Sequence, residues 1–368
     1  MKRIFVLLFA IILVVVISDT MNAQRGSYTH IAAGHNHAMV IKKDGSLWAF
    51  GDNECGQLGN GSSESCHNPI KVLSNVRSVA CGSRHTMAIL KDGSLYAWGW
   101  NAYGQLGDGT LNDRRKPVKV LSNVKSVYCG DDRTLAILND GTLYAWGANS
   151  HGQLGDGTHI DRRRPVKVMS NVNSVACGTE CTMAVTKDGS LMGWGRNLCG
   201  LISSGSDVDY DKPVIILSDV RSVACGHYYA MAILDDGTLL GWGENYRGQI
   251  GDGSNVNACS PSLVLSNVKS VSCGLYHTMA LSEDGTLYGW GYNEYGRIGD
   301  GTEYTYYEPI EIESEVQEIA CGSSFTIYVT RAGDFKTVGE IFTEEIYIDE
   351  FTPELYEISP VPQIEIIE

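Results

Sequence analysis

Residues 82–121 read GSRHTMAILKDGSLYAWGWNAYGQLGDGTLNDRRKPVKVL, and most of the 368-residue chain consists of copies of this stretch. Its opening glycine returns as Gly34, Gly82, Gly130, Gly178, Gly226, Gly274 and Gly322, at one constant step without insertion or deletion. The proline near its end keeps the same step, at Pro69, Pro117, Pro165, Pro213, Pro261 and Pro309. A fixed period of roughly 20–50 residues marks a propeller, a solenoid or an array.

The unit itself decides among these. Ser78 to Cys81 is short, small and β-compatible, and Thr86 to Leu90 is a second apolar run. Asp92-Gly93 follows, a hairpin signal because glycine supplies the positive φ that the turn needs. Leu95 to Trp98 reads as a third strand, and Pro117 to Leu121 as a fourth with proline at its first position. No segment between these strands, here called A to D, has helical periodicity. Four antiparallel strands per unit, seven times over, predict an all-β fold: a seven-bladed β-propeller of 48-residue repeats.

The same residues carry a family resemblance. Gly82, His85, Thr86, Ala88, Asp92-Gly93, Leu95-Tyr96, Trp98-Gly99, Asn101 and Gly104-Gln105-Leu106-Gly107 resemble the repeat of the regulator of chromosome condensation family. The match runs over about residues 28–339. The resemblance implies seven blades. It leaves function open, because one fold hosts many functions.

The ends differ from the repeats. Lys2 and Arg3 precede an unbroken apolar run, Ile4 to Ile17, and a small-residue exit ends at Ala23. This reads as a secretory signal peptide, residues 1–23, and implies a secreted or extracytoplasmic protein. Met21 stands where a small residue is usual, so an uncleaved membrane anchor is the alternative. The propeller then occupies residues 24–339. An acidic segment, 340–368, holds nine acidic and no basic residues, and reads as a last strand near Pro353 to Ile358, a latch at Gln363 to Ile367, or a trailing tail. The ring closes either through that latch or by packing of blade one on blade seven.

The formal charge of −15 argues against nucleic acid, whose phosphates such a protein repels. The basic runs at 113–116 and 161–164 read as solvated loops. Of eleven cysteines, Cys81, Cys129, Cys177, Cys225, Cys273 and Cys321 share one repeat position on strand A, expected to be innermost, where free cysteine acts as a small apolar residue. Cys181 and Cys199 replace the His85 and Tyr103 positions of blade two and form a candidate disulfide if those positions touch within a blade.

Comparison between copies divides the loops into two classes. The B–C turns and D–A links hardly vary and fall on one face of the disc. The A–B and C–D loops fall on the other face and vary, and loops on a rigid scaffold carry function. These variable loops hold Tyr103, Tyr228, Tyr229, Tyr246, Arg247, Tyr276, Tyr292, Tyr295, Tyr304, Tyr306 and Tyr307, concentrated in blades five and six. Tyr and Arg are favoured in protein-binding hot spots. The first eight of these are the candidate partner-binding residues.

No catalytic residue, cofactor or metal site is expected. His37, His85 and His277 share a repeat position, so each is expected to pin a loop to a neighbour by a hydrogen bond. The Gly-Asp-Gly-Thr turns offer one acid each, Asp108, Asp156, Asp252 or Asp300, whereas calcium takes about six to eight oxygens. The sequence therefore predicts a monomeric, non-enzymatic scaffold outside the cytoplasm that binds a protein partner. The alternatives are an enzyme inhibitor resembling secreted β-lactamase-inhibitor propellers, an effector resembling exchange factors of small GTPases, and a carbohydrate-binding module that takes a glycan.

Overall fold

The structure is a computed structural model that describes residues 28–203 and 207–339. The signal-like segment, the acidic segment and the fourth strand expected near 353–358 lie outside these residues. Seven antiparallel sheets follow one another, six of four strands and one of three among the described residues, each a meander in chain order. In blade two the strands are Val76–Cys81 (A), His85–Leu90 (B), Leu95–Gly99 (C) and Arg114–Leu121 (D). The A strands of the other blades are Tyr28–Ala33, Val124–Cys129, Val172–Cys177, Val220–Cys225, Val268–Cys273 and Val316–Cys321.

Strand D is longer than the sequence suggested, since it starts three residues before its proline. Its pairing with strand C slips between Ala97 and Gly99, so Pro117 sits in a bulged outer strand where its missing N–H leaves no ladder bond broken. Each D–A link turns at a left-handed residue: Asn75, Asn123, Asn171, Asp219, Asn267 and Glu315 have φ between 58° and 66°. Five of these six are Asn or Asp, which tolerate that conformation best after glycine.

The core lies between blades, not within them. Met39, Ile41, Leu47 and Leu58 of blade one pack on Val76, Val79, Ala88 and Trp98 of blade two. Along strand B of blade two, Met87 and Ile89 face blade three, while Ala88 faces blade one. This is the two-residue alternation of a strand buried on both sides. The ring closes in the same way, with Ile31, Ala38, Val40 and Phe50 of blade one against Phe325, Ile327 and Val329 of blade seven. His30 pairs with Glu318 of blade seven at 3.1 Å beside this contact. Closure therefore comes from side-chain packing of the first blade on the last among the described residues; the latch reading falls outside them.

A repeated polar clasp crosses the seams. The Gln57 carbonyl of blade one accepts both Thr86 Oγ1 and Trp98 Nε1 of blade two, each at 2.8 Å. The Thr86 hydroxyl proton is thereby committed, so His37 Nε2 donates to Thr86 Oγ1 at 3.0 Å. The pair His85–Thr134 repeats this at the next seam and His277–Thr326 at the sixth, both at 3.0 Å. Arg133 Nε reaches Thr182 at 3.2 Å, and Thr278 Oγ1 lies 3.0 Å from the Tyr229 hydroxyl. The expected pinning role of the histidines is thus observed, and the partner is a threonine 49 residues on. Their Nδ1 atoms are buried without a partner. Burial holds His37 neutral, with a pKa lowered to about 4, and His85 and His277 likewise at about 3.

Two seams depart in concert. Between blades four and five the pair is Cys181 and Ala230; between seven and one it is Phe325 and Ala38. Where the reaching side chain is a thiol or a phenyl ring, the receiving threonine has become alanine. The last seam also carries Phe50 where blades two to six have the clasp tryptophan, and blade seven has Val338 at that position.

Two outcomes follow for stability. Trp146 is fully buried and donates to the Gln105 carbonyl at 2.9 Å. Trp146→Ala should cost about 3–5 kcal/mol in urea unfolding, and a variant that unfolds at the wild-type midpoint would remove this residue from the core. His85→Phe with Thr134→Ala copies the seam between blades seven and one. The double variant should be less destabilised than the sum of the singles by at least about 1 kcal/mol. A neutral buried histidine loses folded-state stability as pH falls from about 6.5 towards 3, because only the unfolded chain takes up the proton. The double variant should therefore show a flatter stability profile across that window.

Candidate functional site

The two faces are built differently, as the loop comparison implied. On the uniform face, Val76 N donates to the Gly45 carbonyl at 2.9 Å and Lys91 N to the Asn75 carbonyl at 2.8 Å. A D–A link is thus locked between the B–C turns on either side of it, which fixes its sequence. On the opposite face the C–D loop hangs from one buried asparagine. Asn101 Oδ1 accepts Leu106 N at 3.0 Å, and its amide donates to the Thr110 and Asn112 carbonyls at 3.2 and 3.0 Å. Gly107 has φ +75°, and a Cβ there would lie 2.6 Å from Trp146 Nε1 of the next blade, so the second glycine of Gly-Gln-Leu-Gly is obligatory. The loop beyond these anchors is free to vary.

The acid of each Gly-Asp-Gly-Thr turn serves this loop. Asp108 accepts Thr110 N and Oγ1 at 2.8 and 2.7 Å and Arg114 Nε at 2.8 Å. Asp156 holds Arg162 in the same way at 2.7 Å, so one arginine of each basic run is paired with its own loop. In blade six Tyr306 takes the arginine's part, donating to Asp300 at 2.6 Å.

A continuous arc of rings and guanidinium groups crosses blades five and six on the variable face. Tyr228 packs against His227 with centroids 4.1 Å apart and the rings tilted by 57°, and His227 meets Tyr276 edge-on at 5.3 Å. Tyr276 lies 5.7 Å from Tyr246. Arg247 sits over Tyr246 at 5.6 Å and over Tyr292 at 4.4 Å, and Arg297 over Tyr292 at 4.9 Å and Tyr295 at 6.0 Å. Tyr246 and Tyr295 are 44% and 52% exposed, so the arc presents large apolar faces to solvent. The structure therefore brings together Tyr228, Tyr246, Arg247, Tyr276, Tyr292 and Tyr295. It adds His227 and Arg297, which the sequence reading passed over. Arg297 was visible as one of two departures from glutamine at its repeat position, in Gly-Arg-Ile-Gly, the other being Leu201.

Three candidates require correction or separation. Tyr229 is fully buried and belongs to the clasp; its hydroxyl donates to the His277 carbonyl at 2.7 Å. It is the first residue of strand B, Tyr229–Leu234, and the strand's alternation turns it inward. Tyr103 is 40% exposed but lies in blade two, edge-on to Trp100 at 5.6 Å and apart from the arc. Cys181 and Cys199 are both free, and their side chains face different neighbours: Cys181 crosses the seam towards Cys225, while Cys199 lies beside Asn257, 3.2 Å from its Nδ2. The supposition that their repeat positions touch within a blade is wrong, because the residue at position 181 looks to the next blade.

At the near end of the arc is a charged cluster. Glu180 accepts the Tyr228 hydroxyl at 2.9 Å and Arg196 Nη1 at 2.5 Å. His151 lies 2.9 Å from Asp209 and 3.4 Å from Glu180. Burial opposes ionisation of Glu180, but the bonds from Arg196 and Tyr228 prevail and hold its carboxyl below the usual range. Burial and the bond to Glu180 push the Tyr228 phenol up to about 12. The cluster spans blades three, four and five.

Inside the arc the A–B loops surround the mouth of a central shaft. Its upper part, a cavity of about 140 Å³, is lined at the mouth by His35, Ser83, Asp131, Thr179, His227, Leu275 and Ser323, and deeper by the six strand-A cysteines. Strand A is innermost, as expected, but its cysteines border this shaft and are half-buried, not packed away. Backbone bonds join neighbouring loops around the rim, from Ser83 N to Asp131 O at 3.1 Å and from Thr179 N to His227 O at 3.3 Å. Beside the mouth, burial and then the charge of Asp131 raise Asp132 to about 6, and its Oδ1 is buried without a partner.

Family models match this architecture. The model described as regulator of chromosome condensation (RCC1) repeat matches residues 172–201, 220–249 and 268–297, and a second model of the same description matches 236–281 and 284–329. The RCC1-like domain model matches residues 14–178. The molecule is thus a seven-bladed propeller of the RCC1-like class. The chain belongs to the regulator of chromosome condensation repeat family. Among curated relatives, Protein RCC2 homolog of Xenopus laevis is 39% identical over 49 residues, which is 13% of this chain and only 10% of that protein. Human WBSCR16 superposes with a TM-score of 0.75 at 25% identity, covering 82% of this chain and 87% of that one. Prp20p of Saccharomyces cerevisiae superposes at 0.72 and 23% identity, covering 85% and 82%.

Asp132 gives a test of the mouth's electrostatics. Its folded pKa lies above the ordinary 3.8, so the folded state holds the proton more tightly and loses stability as pH rises from 3.8 through about 6. Asp132→Asn should melt higher than wild type at about pH 7.5, with the gap closing by about pH 4. An equal gap at both pH values in calorimetry would refute the assignment.

Proposed function

We propose that this protein is a binding scaffold that acts outside the cytoplasm and engages a protein partner through the arc from Tyr228 to Tyr295. The supporting observation is the arc itself. Tyrosine and arginine side chains from four loops interlock by ring and cation–π contacts, so little side-chain freedom remains to be lost on binding. They stand on the face whose loops vary between blades, over a body whose other face is locked. The charged start and apolar run at residues 2–17 support export. The fold relative Prp20p, whose structure was described with its binding properties to Gsp1p and histones, is a precedent for protein binding on this fold.

The test uses wild-type protein and a Tyr246→Ala, Arg247→Ala, Tyr292→Ala variant. The first two of these residues are exposed and the third is half-buried, and all lie outside the strands. A partner captured from culture medium by the wild type should bind the triple variant at least ten-fold more weakly. Loss of one hot spot costs about 2 kcal/mol, and about 1.4 kcal/mol is ten-fold. A control with Lys91→Ala and Asn139→Ala in the locked turns should bind normally. Capture of glycan alone would replace the protein-partner reading with carbohydrate binding. Weakening by the control but not by the triple variant would move the site to the opposite face.

A further inference from the structure

We propose that Cys181 and Cys225 form an oxidative cross-linking site, at which hydrogen peroxide makes a disulfide that ties blade four to blade five. Position 181 is the one whose side chain crosses to the next blade. In the neighbouring blade Tyr229, at the same position, lies against Cys273, which stands at the same offset from it as Cys225 does from Cys181. Local packing agrees. A Cβ on Gly178 would lie 2.7 Å from Cys181 Sγ and 3.5 Å from Cys225 Cβ, so both side chains flank one point. Cys225 pairs in register with Ala230, whose methyl group leaves room for the sulfur, and all three share one apolar cluster.

The arrangement is specific to this seam. The other strand-A cysteines face His37, His85, Arg133, Tyr229 or His277 at the crossing position, none of which is a thiol. Here the second sulfur appears together with the loss of the threonine. Cys181 is the more acidic of the two, because the Cys225 thiol donates to it and Arg133 lies nearby. Cys225 lines the shaft, which admits a molecule the size of peroxide. One thiolate attacks a peroxide oxygen and the O–O bond breaks. Hydroxide leaves and takes up a proton as water, giving a sulfenic acid. The second sulfur then displaces the hydroxyl group, its proton departs with that group as a second water, and the S–S bond forms. The two thiols lose two electrons, and peroxide is reduced to two waters.

The experiment treats the purified full chain with a small excess of peroxide, blocks remaining thiols, and digests with trypsin and a protease that cuts after glutamate. Cleavage at Glu180 separates Cys177 from Cys181. The expected product joins the peptides that carry Cys181 and Cys225, two hydrogens lighter than their sum and released by reductant. The oxidised wild type should melt at least about 3 °C higher than the reduced protein. Cys181→Ala and Cys225→Ala should show no such rise. A dominant cross-link through Cys177 or Cys273, or irreversible oxidation of Cys181 without a cross-link, overturns the proposal. So does a cross-link that leaves the melting temperature unchanged. The digest needs only the wild-type chain, so it decides the matter even if a variant fails to fold.

Discussion

Each regular seam depends on a single carbonyl oxygen. At the first seam it belongs to Gln57, which accepts a threonine hydroxyl and a tryptophan N–H from the next blade. That twofold attachment brings the indole against the loop of the preceding blade. It explains why the second glycine of Gly-Gln-Leu-Gly has no side chain, why Asn101 and its equivalents are buried, and why the histidines choose one tautomer. The repeat period is the length of chain needed to travel from one such carbonyl to the next.

The irregular seams obey the same constraint. Blade four carries Gly-Leu-Ile-Ser, yet Trp242 still donates to the Leu201 carbonyl at 2.8 Å, because the backbone makes the acceptor and the glutamine side chain does not. The blade-four loop also takes a short 3-10 turn with Cys199 at φ +54°, as blade six does at Tyr295 with φ +66°. Where the hydroxyl is absent, a charged side chain spans the same seam. Glu180 holds Tyr228 across blades four and five, and Glu318 holds His30 across seven and one.

Much of this was legible in the sequence, for a physical reason. Strand period, Asp-Gly turns and the constant step between copies are local or self-similar signals, and they yielded blade number, strand order and the division of faces. The seam rule was also written there, as a histidine, arginine or tyrosine paired with a threonine one repeat and one position further on, and its two exceptions changed both members together. It went unread because that spacing means nothing until strand B is known to lie against strand B of the next blade. The same omission misplaced Tyr229 and Cys181, both taken as loop residues when each begins a strand and points across a seam. The tyrosine-rich loops were legible as composition. Their joining into one arc was not, because His227 and Arg297 complete it from two different loops whose proximity only the fold reveals.

Hydrogen bonds fix direction, whereas apolar contacts tolerate sliding. Five seams carry a directed bond at the crossing position and two carry Cys181–Ala230 or Phe325–Ala38 in its place. The ring is then two segments, blades one to four and blades five to seven, joined at two seams that lack this bond, although Trp242 still donates to the Leu201 carbonyl across the first. The aromatic arc begins at one of these seams, with Glu180 on one segment and Tyr228 on the other. A ligand gripping both would act as a clamp across the joint, and the stiffness of the whole disc would depend on what it holds.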